Sequence, residues 1–308
     1  MTSRKAELIV VNNQTDPSEL DALASRQEVI LDVTTLDLLR LPKDTKAGLY
    51  TTATTFNAPQ LRTAGDILAR KAENFWASNL KLSKNLDAPE ATSFSTPKLE
   101  KAGNINAGYA SSFDAHALKV SGAIDAGRAK SLTVPKLEKV EGPIYADGVS
   151  IFDAPQLETV GGMVARRATS FNAPELKTAG DIHSDHTKHL RIPKLKQSGD
   201  IHSEHAMSLD VPQLETSNNL HVPEATFLNI PKLRTAGYIK ANAVSEFSAP
   251  QLETAGNIFA RKATSFNMPK FRPGQHEMPN GLIVSYRQRL KSERLQQPVE
   301  SSVTSRPR

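Results

Sequence analysis

The sequence predicts a repeat β-solenoid, a stack of parallel β coils about 19 residues each. Three features of the chain point to it. The unit from Phe56 to Asn74 recurs from Phe75, Phe94, Phe113, Leu132, Phe152, Phe171, Leu190, Leu209, Leu228 and Phe247, with a partial unit at Phe266. The apolar positions within the unit barely change. Proline and glycine recur at fixed places, and both punctuate strands rather than continue them. The period is 19 residues, except that the unit starting at Leu132 carries one more.

Within the unit, position 1 is Phe or Leu, and position 6 is Leu in every full copy from Leu61 to Leu252. Position 12 is Ile, Leu or Met, and positions 14 and 17 are mostly Ala. Ile67-Leu68-Ala69 has the period-two spacing of a short strand, with positions 12 and 14 inward and 13 outward. Phe56-Asn57-Ala58 alternates in the same way before Pro59. Proline has no backbone donor, so Pro59 and its equivalents mark a corner. Glycine at position 10, as at Gly65, Gly103, Gly180 and Gly256, marks another, where positive φ or close backbone packing is wanted. One unit is then a coil with two or three straight edges. A single coil cannot bury its own apolar residues, but stacking at ~4.8 Å joins them into continuous ladders.

The ends differ. Residues 1–38 read as a small α/β N-terminal cap. Leu8 to Val11 is β-rich, Thr15 to Glu19 is a helix-start cluster, Leu20, Leu23 and Ala24 share a helical face, and Val29 to Val33 returns to strand. Residues 39–272 are the solenoid of about eleven repeats, opened by a degraded unit at Leu39. Residues 273–308 read as a short helix, with Leu282, Ile283, Tyr286 and Leu290 on one side, and a basic disordered tail.

Charge and composition narrow the function. Lys and Arg number 38 against 33 Asp and Glu, a net charge of +5. That excess lies from Lys270 onward, and the body before it balances to zero. A nucleic-acid partner is therefore expected only through the basic tail. The absence of cysteine excludes a disulfide scaffold, a thiolate zinc site and a catalytic cysteine. No run approaches the ~18 apolar residues of a spanning helix, so no membrane partner is expected. The opening residues do not read as a secretory signal peptide, which predicts a cytoplasmic protein.

The most unusual local feature is a histidine cluster. Two successive units read Asp181-Ile-His183-Ser-Asp185-His186 and Asp200-Ile-His202-Ser-Glu204-His205, and the next has His221 in the same slot. With position 12 inward, His183, His202 and His221 stack on one outward face about 4.8 Å apart, with Asp185 and Glu204 beside them. Imidazole and carboxylate together suit zinc or non-haem iron, so these five residues are the candidate metal ligands. Shared residues in recently duplicated coils are the plain alternative. Basic doublets recur at Arg70-Lys71, Arg166-Arg167 and Arg261-Lys262, five coils apart, and read as solvated surface. No phosphate-binding glycine loop, G-x-S-x-G or H-E-x-x-H signature is present, so no catalytic residue, no cofactor and no enzymatic activity are expected.

Ile124-Asp-Ala-Gly-Arg-Ala-Lys-Ser-Leu-Thr-Val-Pro135, led by Leu118-Lys-Val-Ser-Gly122, resembles the leucine-rich repeat segment L-x-L-x-x-N-x-L-x-x-L-P. It is most similar to the short proline-bearing repeats of bacterial leucine-rich effectors and to receptor L-domain repeats, over residues 36–272. The unit is shorter than theirs, and Ala72, Ala110, Ala129, Ala168 and Ala263 stand where their ladder asparagine would. A generic parallel β-solenoid is the alternative. The resemblance implies a leucine-rich-like solenoid that binds protein, as effectors do after delivery into a host cell without a cleavable signal peptide. The ubiquitin-ligase activity of some effectors needs a cysteine and a long further domain, and neither is here. The residues agree with a non-enzymatic scaffold. A constant core underlies a face that changes at position 13: Leu68, Asp87, Asn106, Asp125, Val164, His183, Lys240. A metal-binding protein or metal-dependent enzyme using the His183–His221 ladder is the alternative.

Overall fold

A computed structural model describes residues 9–11, 28–31, 35–37, 43–46 and 48–272, with side chains from residue 43 onward. It is a parallel β-solenoid of about 12 turns with coils about 19 residues apart, and no helix occurs among the described residues. The helices expected in residues 1–38 and 273–308, and the basic tail, lie outside them.

Each coil contributes to three parallel ladders. The first is built from positions 19, 1 and 2, as in Thr55–Asn57, Asn74–Trp76 and Ser93–Ser95. The second is built from positions 8 and 9, as in Thr63–Ala64 and Leu82–Ser83. The third is built from positions 12 and 13, as in Ile67–Leu68, Leu86–Asp87 and Ile105–Asn106. In several coils the second and third strands run together, as in Thr159–Val164, Thr178–His183 and Thr254–Phe259. Corners fall at Pro59-Gln60 and at Arg70-Lys71, with a bend at Gly65 between them. The coil thus has three straight edges. Ile9–Val11 and Glu28–Leu31 pair in parallel with each other, and Glu28–Leu31 pairs in parallel with Gly48–Thr51. The segments read from sequence as strands on either side of a helix therefore lead directly into the third ladder.

The alternation expected from sequence fills the interior. Positions 1, 3, 6, 12, 14 and 17 of the first full coil are Phe56, Ala58, Leu61, Ile67, Ala69 and Ala72, all fully buried. Position 1 stacks ring on ring. Phe56, Phe75, Phe94 and Phe113 have centroids 4.8, 4.9 and 5.2 Å apart, with planes within 13°. The small Ala at positions 14 and 17 lets the chain turn tightly around these rings. The extra residue of the coil starting at Leu132 is absorbed as a bulge: the register shifts between Val140 and Pro143, and pairing resumes at Pro143 with Gly162.

Position 10 has a different reason for its glycine than a positive φ. A Cβ on Gly103 would lie 2.0 Å from the Lys84 carbonyl oxygen and 2.5 Å from Asn85 Oδ1 in the coil before. The space serves a ladder of side chains at position 11. Asn85 Nδ2 donates to Asp66 Oδ1 at 2.7 Å, and the Asn104 backbone N–H donates to Asn85 Oδ1 at 2.8 Å. The pattern returns further along, where the Asp200 N–H donates to Asp181 Oδ1, Asn219 Nδ2 donates to Asp200 Oδ1, and the Tyr238 N–H donates to Asn219 Oδ1. Glycine at 10 in one coil makes room for the Asn or Asp at 11 in the coil before it. Serine at position 9 adds a second tie, as Ser83, Ser121 and Ser217 each donate to the carbonyl of the glycine one coil back.

This pairing sets an expected result. Asn85→Ala removes two side-chain bonds and should cost about 1–2 kcal/mol. Amide hydrogen exchange checks it: the Asn104 N–H should lose protection while the Phe94 N–H keeps it. Equal protection in variant and wild type would mean that the ladder contributes nothing.

Candidate functional site

The histidine cluster lies on the third ladder. Ile182 pairs with Ile201, and Ile201 with Leu220, burying position 12, and this turns position 13 outward in each coil. His183 pairs with His202, and His202 with His221. The His202 and His221 rings stack 4.4 Å apart with planes 9° from parallel, whereas His183 and His202 are 5.6 Å apart and 28° from parallel. Val164 and Lys240 flank the three on the same ladder.

The sequence places the carboxylates beside the histidines: Glu204 does lie near His202 of its own coil, and both carboxylates also reach the histidine of the next coil. Position 15 lies at the corner, and from there a side chain reaches position 13 of the next coil. Arg70 reaches Asp87 in this way, at 2.6 Å. In the cluster, Asp185 Oδ1 lies 3.6 Å from His202 Nε2, and Glu204 Oε2 accepts from His221 Nε2 at 2.9 Å. Glu204 Oε2 is also 3.5 Å from His202 Nε2, so it lies between two imidazoles. Of the five candidate ligands, His202, Glu204 and His221 bring their donor atoms within 4.8 Å of one another. Asp185 adjoins His202, and its other oxygen faces Arg166 Nε at 3.9 Å. His183 takes part only as the end of the stack.

The environment separates the groups further. Burial is the leading influence on His221 and holds its ring below the ordinary imidazole value; Lys240 and His202 add to this, and Glu204 opposes it. For Glu204, burial alone would raise the carboxyl. The hydrogen bond from His221 and the positive charges of His221, Lys240 and His202 outweigh that and leave it below the ordinary value. The His221 side chain is 15% exposed and that of Glu204 43%, so the site is a shallow one at the edge of the sheet.

The other histidines of the cluster are occupied by local contacts. His186 Nδ1–H donates to the Arg166 carbonyl, His189 Nδ1 contacts the Ser208 hydroxyl, and His205 lies 3.4 Å from Glu224. The basic doublets fall at the corner of positions 15 and 16. Around the middle one, Gly127, Arg128, Asp147, Gly148, Arg166 and Arg167 line an open hollow of about 600 Å³. Arg166 is paired there with Asp147 at 3.0 Å, and Arg128 covers the Tyr109 ring at 3.8 Å.

Sequence reasoning missed two things. It assigned no role to position 11, where Asp66, Asn85, Asp181 and Asp200 tie the coils together. The narrow choice of Asp and Asn there was the available signal. It placed Asp185 and Glu204 beside the histidine stack but missed that each reaches the histidine one coil on, because the reach from a corner to the next coil cannot be read from strand alternation alone. Compared with known proteins, the chain matches no family model, no curated protein and no solved structure.

Proposed function

We propose that this chain is a non-enzymatic protein-binding scaffold that meets its partner through the third ladder. One observation carries the reading. Position 13 is half-buried or exposed in every coil, between neighbours at 12 and 14 that are buried except for the half-buried Ile258, and it changes from Leu68 to Asp87, Asn106, Tyr145, Lys240 and Phe259. A solenoid can vary such a row freely, because the row does not touch the core. The proposal includes a leucine-rich-like identity, supported by the Leu at position 6 and the corner proline, and with it a host-directed, effector-like role for a protein that works in the cytoplasm.

The test compares two double variants. Tyr145→Ala with Lys240→Glu alters the third ladder, and Ile151→Lys with Glu246→Lys alters exposed residues of the first. Wild type and both variants are used side by side for quantitative affinity capture from cell extract, with circular dichroism as the check on folding. A partner held by wild type and by the first-ladder variant should fall at least about ten-fold with the third-ladder variant, a loss of about 1.4 kcal/mol or more. Equal capture by both variants would place the binding face elsewhere.

A further inference from the structure

We propose that His202, Glu204 and His221 form a site for one divalent transition-metal ion of the zinc class, which staples the coil starting at Leu190 to the coil starting at Leu209. The donors are two imidazole nitrogens and one carboxylate oxygen, with His221 Nε2 and His202 Nε2 at 2.9 and 3.5 Å from Glu204 Oε2. A tetrahedral ion with bonds of about 2.0–2.1 Å holds its ligands roughly 3.3–3.4 Å apart. The two separations bracket that value. His221 Nε2 already faces Glu204 Oε2, so a turn of the His202 ring about its Cβ–Cγ bond aims the second lone pair at an ion beside Glu204. His202 and Glu204 are 34% and 43% exposed on their side chains, which leaves room for that turn. Nitrogen donors select zinc, nickel or copper over calcium and magnesium, which prefer all-oxygen shells.

The same slots elsewhere make ordinary ion pairs, such as Arg70 with Asp87. Here the corner slot holds an acid and the strand slots hold two imidazoles, three metal donors together, with Lys240 the neighbouring cation on the ladder. Asp185, 3.6 Å from His202, adds a second negative charge beside the site. At the other end the stack closes itself off. The corner slot that would serve His183 is occupied by Arg166, a fixed cation that disfavours an ion there. The ladder of three histidines therefore holds one site between its second and third members. Three protein ligands leave the outer coordination position to water.

The test titrates Zn²⁺ into untagged, chelator-stripped full-length protein by calorimetry. One ion per chain is expected, with thermal unfolding of the protein moved upward. His202→Ala, His221→Ala and Glu204→Gln should each weaken binding at least about ten-fold, whereas His183→Ala should change it by less than about three-fold. No saturable binding, or an affinity unchanged in His221→Ala, would overturn the site. An equal loss in His183→Ala would do the same. Should an alanine variant misfold, wild type decides by diethyl pyrocarbonate footprinting. Zn²⁺ should protect His202 and His221 and leave His183 and His116 reactive; uniform reactivity would refute the proposal.

Discussion

Phe94→Ala should destabilise the solenoid by about 3–5 kcal/mol, the range for removing a fully buried aromatic ring. The ring lies between Phe75 and Phe113, 4.9 and 5.2 Å away, and is fully buried. Truncating it removes contacts on both faces at once, and the coils above and below cannot close the gap without breaking their own pairing. The parallel strands Asn74–Trp76, Ser93–Ser95 and Ser112–Asp114 fix the spacing. Phe94→Leu should be far milder, below about 1.5 kcal/mol. Leu132, Leu190, Leu209 and Leu228 occupy the same position in other coils and are fully or partly buried there. Denaturant unfolding of the three proteins measures the difference. Alanine and leucine variants of equal stability would show that the aromatic stack is incidental to the core.

Gly103→Ala should cost at least about 3 kcal/mol, at the upper end for an overpacked site. The added methyl would stand 2.0 Å from the Lys84 carbonyl oxygen, a backbone atom that cannot turn aside, and 2.5 Å from Asn85 Oδ1. The coil must lift away from its neighbour, and the Asn104-to-Asn85 bond and the Ser121-to-Gly103 bond are strained together. Gly162→Ala is the matched control, since its methyl would meet nothing closer than 3.4 Å. It should shift stability by under about 1 kcal/mol. Each variant adds a single methyl, one at position 10 and one at position 11 of a coil three further along. If both cost the same, the close approach at position 10 is not what demands glycine.

The core was legible because burial leaves a period in the sequence. Phe56, Leu61, Ile67, Ala69 and Ala72 recur with the coil, and alternation alone assigns Ile67 and Ala69 to the inside. Pro59 was legible for the same reason, as a residue that cannot take part in a ladder from within. The role of Asn85 was not. Its bonds go to residues 19 positions away on both sides, and a polar residue at the surface looks the same whether it binds solvent, a partner or the next coil. The histidine site was half legible. Stacking of His183, His202 and His221 follows from the repeat, but the meeting of Glu204 with His221 depends on how far a corner side chain extends along the stack. That distance belongs to the coil's third dimension, which a linear period does not encode.

The bulge at Glu141-Gly142 shows how the stack treats a change of length. One surplus residue is taken up between Val140 and Pro143, and the pairs beyond it, Ile144 with Met163 and Tyr145 with Val164, resume as if nothing had been inserted. Most joints repeat the same pairings, although the first ladder is interrupted between Ser112–Asp114 and Ser131–Thr133, between Ser170–Asn172 and His189–Arg191, and between Phe227–Asn229 and Glu246–Ser248, so one whole 19-residue unit could be gained or lost with little change to the other joints. The molecule is in this sense a ruler marked in steps of about 4.8 Å. Its reach could be lengthened or shortened by recombination between neighbouring copies of the unit, while the histidines, or any other local group, travel along it unchanged.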